Sequence, residues 1–179
     1  MLEIDVPAGE FYDEGSNLFF ETKAVHLRLE HSLVSISKWE AKWKKPFLSK
    51  TRHGNEELRD YVRCMTLNQN VDPMTYRALT PENLEQIAEY ISADMTATTV
   101  SDPSQRTSRE VVTSEIIYYW MVAYSIPWEA QKWHLSRLLM LIRVCSIKNG
   151  PQKKMSQREV LRRNSKLNAA RRKRLSTRG

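Results

Sequence analysis

Glycine and cysteine are scarce in this chain of 179 residues, which holds five of the first and two of the second. So little glycine, with no GxxxxGK[ST], GxGxxG or GxSxG, leaves hardly any material for a phosphate-cradling loop or a nucleophile elbow. Cys64 and Cys145 stand among apolar neighbours without a CxxC partner. That argues against a disulfide framework or a cysteine-based zinc site and for a reducing compartment. The four histidines, His26, His31, His53 and His134, show no HExxH or His-x-His spacing and read as surface or hydrogen-bonded residues. His134 and Cys145 lie on one expected helix, about 16 Å apart along its axis, so they make no nucleophile pair and Cys145 reads as a buried thiol. Long apolar runs are missing too. The longest uncharged stretch, 116–128, has 13 residues, short of the roughly 18 to 20 that span a bilayer. The opening MLEID is acidic and does not read as a secretory signal. The sequence therefore predicts a non-enzymatic protein with no catalytic residue, metal or cofactor to name and no membrane partner.

What is present is an ordinary globular composition, 41% apolar and 27% charged, long enough for one core to bury roughly 70% of the unfolded surface. Charge is unevenly spread. The net charge is +7, but residues 153–179 carry eleven Lys and Arg against Glu159 alone, a local +10 that leaves −3 for the other residues. The basic character belongs to the tail, and electrostatic partner arguments belong there with it.

Residues 2–6 (LEIDV), 17–21 (NLFFE) and 24–30 (AVHLRLE) alternate as half-buried strands do, with GEFYDEGSN (9–17) reading as a loop and Lys23 as a turn tip. Ser32 is an expected N-cap for a helix carrying Leu33, Ile36, Trp39 and Trp43 up to Pro46. Further helices are expected after Asn55 (Leu58, Tyr61, Val62, Met65) and from Thr80-Pro81 (Leu84, Ile87, Ala88, Ile91), with a short turn at Asp72-Pro73. Residues 92–106 read as the main internal loop, and Thr107 with Glu110 as a capping box. The run 111–124 is apolar nearly all round and reads as the centre of the core or as a partner-binding element. Glu115 is its only charge. A lone glutamate there would titrate high and act as acid or base, or more simply pair with a cation or face water. Pro127 opens a turn with Trp128 and Trp133, and Leu135, Leu138, Leu139, Ile142 and Cys145 line a further helix that Asn149-Gly150-Pro151 ends. From Ser156 to about Leu175 the residues favour helix but offer little to bury, so this segment reads as extended or ordered on binding.

The predicted fold is thus α+β, mainly α. Residues 1–31 form an antiparallel β-hairpin or three-stranded sheet, and 32–150 add a bundle of about five helices in the same globular domain. Residues 151–179 form a basic C-terminal helix or tail.

Two groups of side chains suit partner contacts. Tyr118, Tyr119, Trp120, Tyr124, Trp128 and Trp133 fall within 16 residues. Such density fills cores, or it builds a groove for an apolar segment of another protein, because Tyr and Trp give large contact area at low entropic cost. On the second reading Tyr119, Trp120, Trp128 and Trp133, with Trp39 and Trp43, are the candidate contacts. The tail offers Lys153, Lys154, Arg158, Arg162, Arg163, Arg171, Arg172, Lys173 and Arg174 to a polyanion. Nucleic acid, an acidic protein surface and simple solvation all remain open for it.

Several phrases resemble a known group: LRLEHSLVSISKWEAKWKKPFL (27–48), YVRCMTLNQNVDP (61–73), MTATT (95–99), SEIIYYWMVAYSIPWEAQKWHLSRLLMLIRV (114–144) and LNAARRKRLSTRG (167–179). Together they are similar to small structural and assembly proteins of long-tailed bacteriophages, and most closely resemble a tail assembly chaperone. The resemblance implies a helical protein of the host cytoplasm, active in virion morphogenesis. It would bind the long apolar tape-measure protein, keep it in solution and help tail-tube proteins polymerise around it, as a monomer or a homo-oligomer. The same setting admits a virion structural or head-tail connector protein, and a nucleic-acid-binding factor acting through the basic C-terminus. No residue role comes with the resemblance.

Overall fold

The computed structural model describes residues 1–13, 17–49, 53–99, 111–149 and 157–175. The chain divides into two compact units, Met1–Lys148 and Asn149–Gly179. The first is α+β and mainly helical, with a small antiparallel sheet at its N-terminus.

Four short strands open the chain: β1 (Leu2–Val6), β2 (Gly9–Asp13), β3 (Leu18–Thr22) and β4 (Val25–Leu29). β1 pairs with β4 and β2 with β3. Both ladders keep one register, Leu2 opposite Leu29 and Gly9 opposite Thr22, so the segment is one long hairpin interrupted at Pro7-Ala8 and Lys23-Ala24. Proline cannot donate to a ladder, which accounts for the break on its side. Two expectations are corrected here. Gly9–Asp13 is strand rather than loop, and Lys23 sits at the interruption rather than at the hairpin tip. Cross-strand aromatic pairs outweigh the loop-like composition: Phe11 stacks on Phe20 with centroids 5.8 Å apart and Tyr12 meets Phe19 at 5.0 Å.

Alternation buries Ile4, Val6, Leu27 and Leu29 on the inner face of the β1–β4 ladder. Its edges are covered. Glu30 N–H donates to Met65 O at 2.9 Å and Leu67 N–H to Arg28 O at 2.8 Å, while the Asn68 side chain bridges Arg28 N–H and His26 O. On the other side Asn83 Nδ2 donates to Asp5 O at 3.2 Å. A sheet this small is stable because helices and loops occupy its edges and one face.

The helices of this unit are α1 (Leu33–Trp43), α2 (Asn55–Met65), α3 (Pro81–Ser92), α4 (Ser114–Ala123) and α5 (Leu135–Asn149). Short 3-10 turns lie at Pro73–Tyr76 and Trp128–Lys132. The starts follow the local chemistry. Ser32 Oγ accepts the Ser35 N–H at 3.3 Å, Asp72 accepts that of Met74 at 2.9 Å, and Thr80 and Asn83 cap each other at 3.2 Å in both directions. α1 ends in left-handed Lys44, φ 55°, whose N–H returns to Glu40 O at 2.8 Å. Trp39, fully buried, donates its indole N–H to Glu57 O at 2.8 Å and stands edge-on to Phe47, which stacks on Tyr61. The expected capping box at Thr107 and Glu110 lies outside the described residues.

The second unit contains α6 (Gln157–Leu175). Of the helix or tail expected for 151–179, the described part is helical. Arg, Lys, Gln, Leu and the Ala169-Ala170 pair all favour helix, and intrinsic propensity prevails where there is little to bury.

Candidate partner-binding face

The apolar run of α4 reads as the centre of the core or as a partner-binding element, and in the structure only one stripe of the helix is buried. Ser114, Ile117 and Met121, at spacings of three and four, face inward, and the helix packs on α1. Its start is fixed by a side chain from α1: the Glu40 carboxylate, itself buried, accepts the Ser114 N–H at 2.8 Å and the Phe47 N–H at 2.8 Å. Its end is fixed by backbone reversal at Ser125, φ 53°, after which Ile126 N–H returns to Met121 O at 2.8 Å.

Pinned at both ends, α4 holds apolar side chains out to water. Tyr119 is 68% exposed and Val122 63%. Tyr118 and Trp120 lie about 160° apart around the helix axis, one on each flank. On the first flank Tyr118 donates to Gln131 Oε1 at 3.0 Å and packs against Trp128, which remains 55% exposed. On the second flank Trp120 and Tyr124 face Leu139, Ile142, Arg143, Ser146 and Ile147 of α5 across a groove of about 400 Å³. Trp133, 40% exposed, lies under the Arg137 guanidinium at 5.2 Å.

The candidate contacts therefore separate. Tyr119, Trp128 and Trp133 are exposed, and Trp120 forms a half-buried groove wall. Trp39 belongs to the core and is corrected from contact to scaffold. Trp43 is half-buried and engaged, stacking on Trp39 at 6.2 Å and donating to Asp60 Oδ2 at 2.8 Å. Asp60 sits in a knot of donors: burial pushes its carboxyl up, but hydrogen bonds from Lys42, Trp43 and Arg63 outweigh that and hold it below the usual range. Of the polyanion candidates, Arg158, Arg162, Arg163, Arg171, Arg172, Lys173 and Arg174 are exposed on α6, whereas Lys153 and Lys154 lie outside the described residues.

The titratable groups weighed for chemistry take structural places. Glu115 is exposed in the first turn of α4. Its own backbone N–H, with Thr113 and Ser114, holds its carboxyl below the usual range, opposite to the rise a buried acid would show. Burial pushes the Cys64 thiol up. His31 and His134 are buried with rings 5.1 Å apart. His31 Nδ1 meets Tyr61 Oη at 2.5 Å, and His134 bonds Tyr90 O at 3.0 Å and Ser136 Oγ at 2.9 Å. Leu135 N–H donates to His31 O at 2.8 Å, so this cluster fastens the start of α5 to the end of the hairpin. Glu40 and the His31–His134 contact carried no sequence signal, since each joins residues far apart in the chain. Among the described residues no group of His, Cys, Asp and Glu is placed to hold a metal ion, and no helix is long and apolar enough to cross a membrane.

No protein-family model, no curated protein and no solved structure matches the chain.

Proposed function

We propose that this chain is a non-enzymatic tail assembly chaperone of a long-tailed bacteriophage, which grips the apolar tape-measure protein through the outer face of α4 and the groove beside it. One observation carries the reading. A helix fixed at both ends by the body's own hydrogen bonds leaves Tyr119 and Val122 exposed, with the exposed Trp128 of the following 3-10 turn on one flank and a groove walled by Trp120 on the other. Large rings kept in water by a body whose core is already filled suit a partner's apolar side chains. A groove between two helices suits an amphipathic helix, which would bury its apolar stripe there. Arg137 and Arg143, at Trp133 and in the groove wall, add polar donors at the edge of such a contact.

On this reading the protein works in the host cytoplasm before the tail is complete, meeting tape-measure and tail-tube proteins as they are made. The test is co-expression with the tape-measure protein, followed by analysis of purified virions. Soluble co-purification, together with absence from the mature particle, supports the proposal. Presence in virions at fixed stoichiometry overturns it in favour of a structural or connector role.

A further inference from the structure

Eight Lys and Arg residues and a single acid, Glu159, occupy the 19 residues of α6, a helix about 28 Å long. At about 100° per residue, Arg158, Arg162, Arg163, Lys166, Lys173 and Arg174 share an arc of about 160°, and all are exposed. Ala169 and Ala170 fall within the same arc, as does the one acid, Glu159, in the first turn, so towards the C-terminal half long cationic arms surround a low centre. On the remaining side the exposed Leu161, Leu167 and Leu175 are separated by Asn164, Asn168 and Arg171.

From this arrangement we infer that α6 binds the phosphate backbone of double-stranded nucleic acid without regard to sequence. Duplex DNA carries one charge per about 1.7 Å of axis, so the helix spans about 16 phosphates. A cationic arc of this width reaches phosphates on both walls of a groove, and the alanines let the backbone approach between them. Residues 149–179 contain no aromatic ring, so the stacking that favours single strands is missing. An interfacial membrane helix needs a continuous apolar face, which Asn164 and Asn168 interrupt. This proposal and the one for α4 rest on different residues, and neither depends on the other.

The test is fluorescence anisotropy of the full-length chain with labelled duplexes of two unrelated sequences, from about 50 to about 200 mM salt. Both duplexes should bind equally, more tightly than a single strand of the same length. Affinity should fall about a thousandfold across that range, as for five or six neutralised phosphates. The variant Arg158→Gln/Arg162→Gln/Lys173→Gln/Arg174→Gln keeps good helix formers, and circular dichroism verifies that its helicity is retained. It should bind at least about a hundredfold more weakly at low salt, with a slope shallower by about three to four. Absence of binding at low salt, salt-independent binding or an unaffected variant would overturn the inference. So would a polyglutamate peptide, or vesicles rich in phosphatidylserine, bound as tightly as the duplex.

Discussion

Glu40 on α1 holds the first N–H of α4, with its Oε2 2.8 Å from Ser114 N and its Oε1 2.8 Å from Phe47 N. The carboxylate also sits at the positive end of the α4 dipole. Replacing it by alanine leaves two amides without their acceptor, one of them buried. Glu40→Ala should cost about 2 to 4 kcal/mol in urea unfolding, and Glu40→Gln, which keeps one acceptor, distinctly less. Tyr119 should become more mobile in the alanine variant, because α4 is what presents it.

The tryptophans should divide by burial. Trp39→Ala removes a fully buried ring and its bond to Glu57 O, at a cost of about 3 to 5 kcal/mol. Trp128→Ala, at an exposed site, should shift stability by about 1 kcal/mol or less. Trp120→Ala should fall between them. Equal losses at positions 39 and 128 in denaturant titrations would contradict this division.

Much of this was legible in the sequence. Ser32, Asp72 and Thr80 announced their helices because a cap needs only a few adjacent residues, and Leu27 with Leu29 showed the strand period. Gly9–Asp13 hid behind acidic and glycine residues because its support is the facing Phe19 and Phe20. The apolar run of α4 showed a helix but not which side was covered. That depends on Glu40 and α1, which are more than seventy residues distant.

Acid should weaken the body through His31. Burial first, and His134 second, lower its pKa to about 4 from an ordinary value of 6.5. Between those values the unfolded chain takes up a proton that the folded chain refuses, so stability is fully present above about pH 6.5 and falls as pH drops towards 4, by up to about 3 kcal/mol. His31→Gln should lose that increment of pH dependence. Identical changes in urea midpoint with pH for the two proteins would refute the assignment.

Lys44 adopts φ 55° at the end of α1, a conformation that costs a side-chain-bearing residue roughly 1 kcal/mol and costs glycine little. Lys44→Gly should therefore raise stability by about 0.5 to 1 kcal/mol, and Lys44→Val should lower it. Thermal unfolding of the three proteins checks the order.

The gripping role of the exposed aromatic side chains on and just after α4 is tested most directly by the fraction of tape-measure protein kept soluble on co-expression with three forms of this chain. These are the full-length chain, Tyr119→Ala/Trp128→Ala/Trp133→Ala, and a truncation after residue 152 that removes α6. The full-length and truncated chains should hold it in solution equally well, with the truncated body keeping its helicity. The triple variant, although folded, should let it precipitate. A soluble tape-measure protein with the triple variant, or its loss with the truncation alone, would contradict the account.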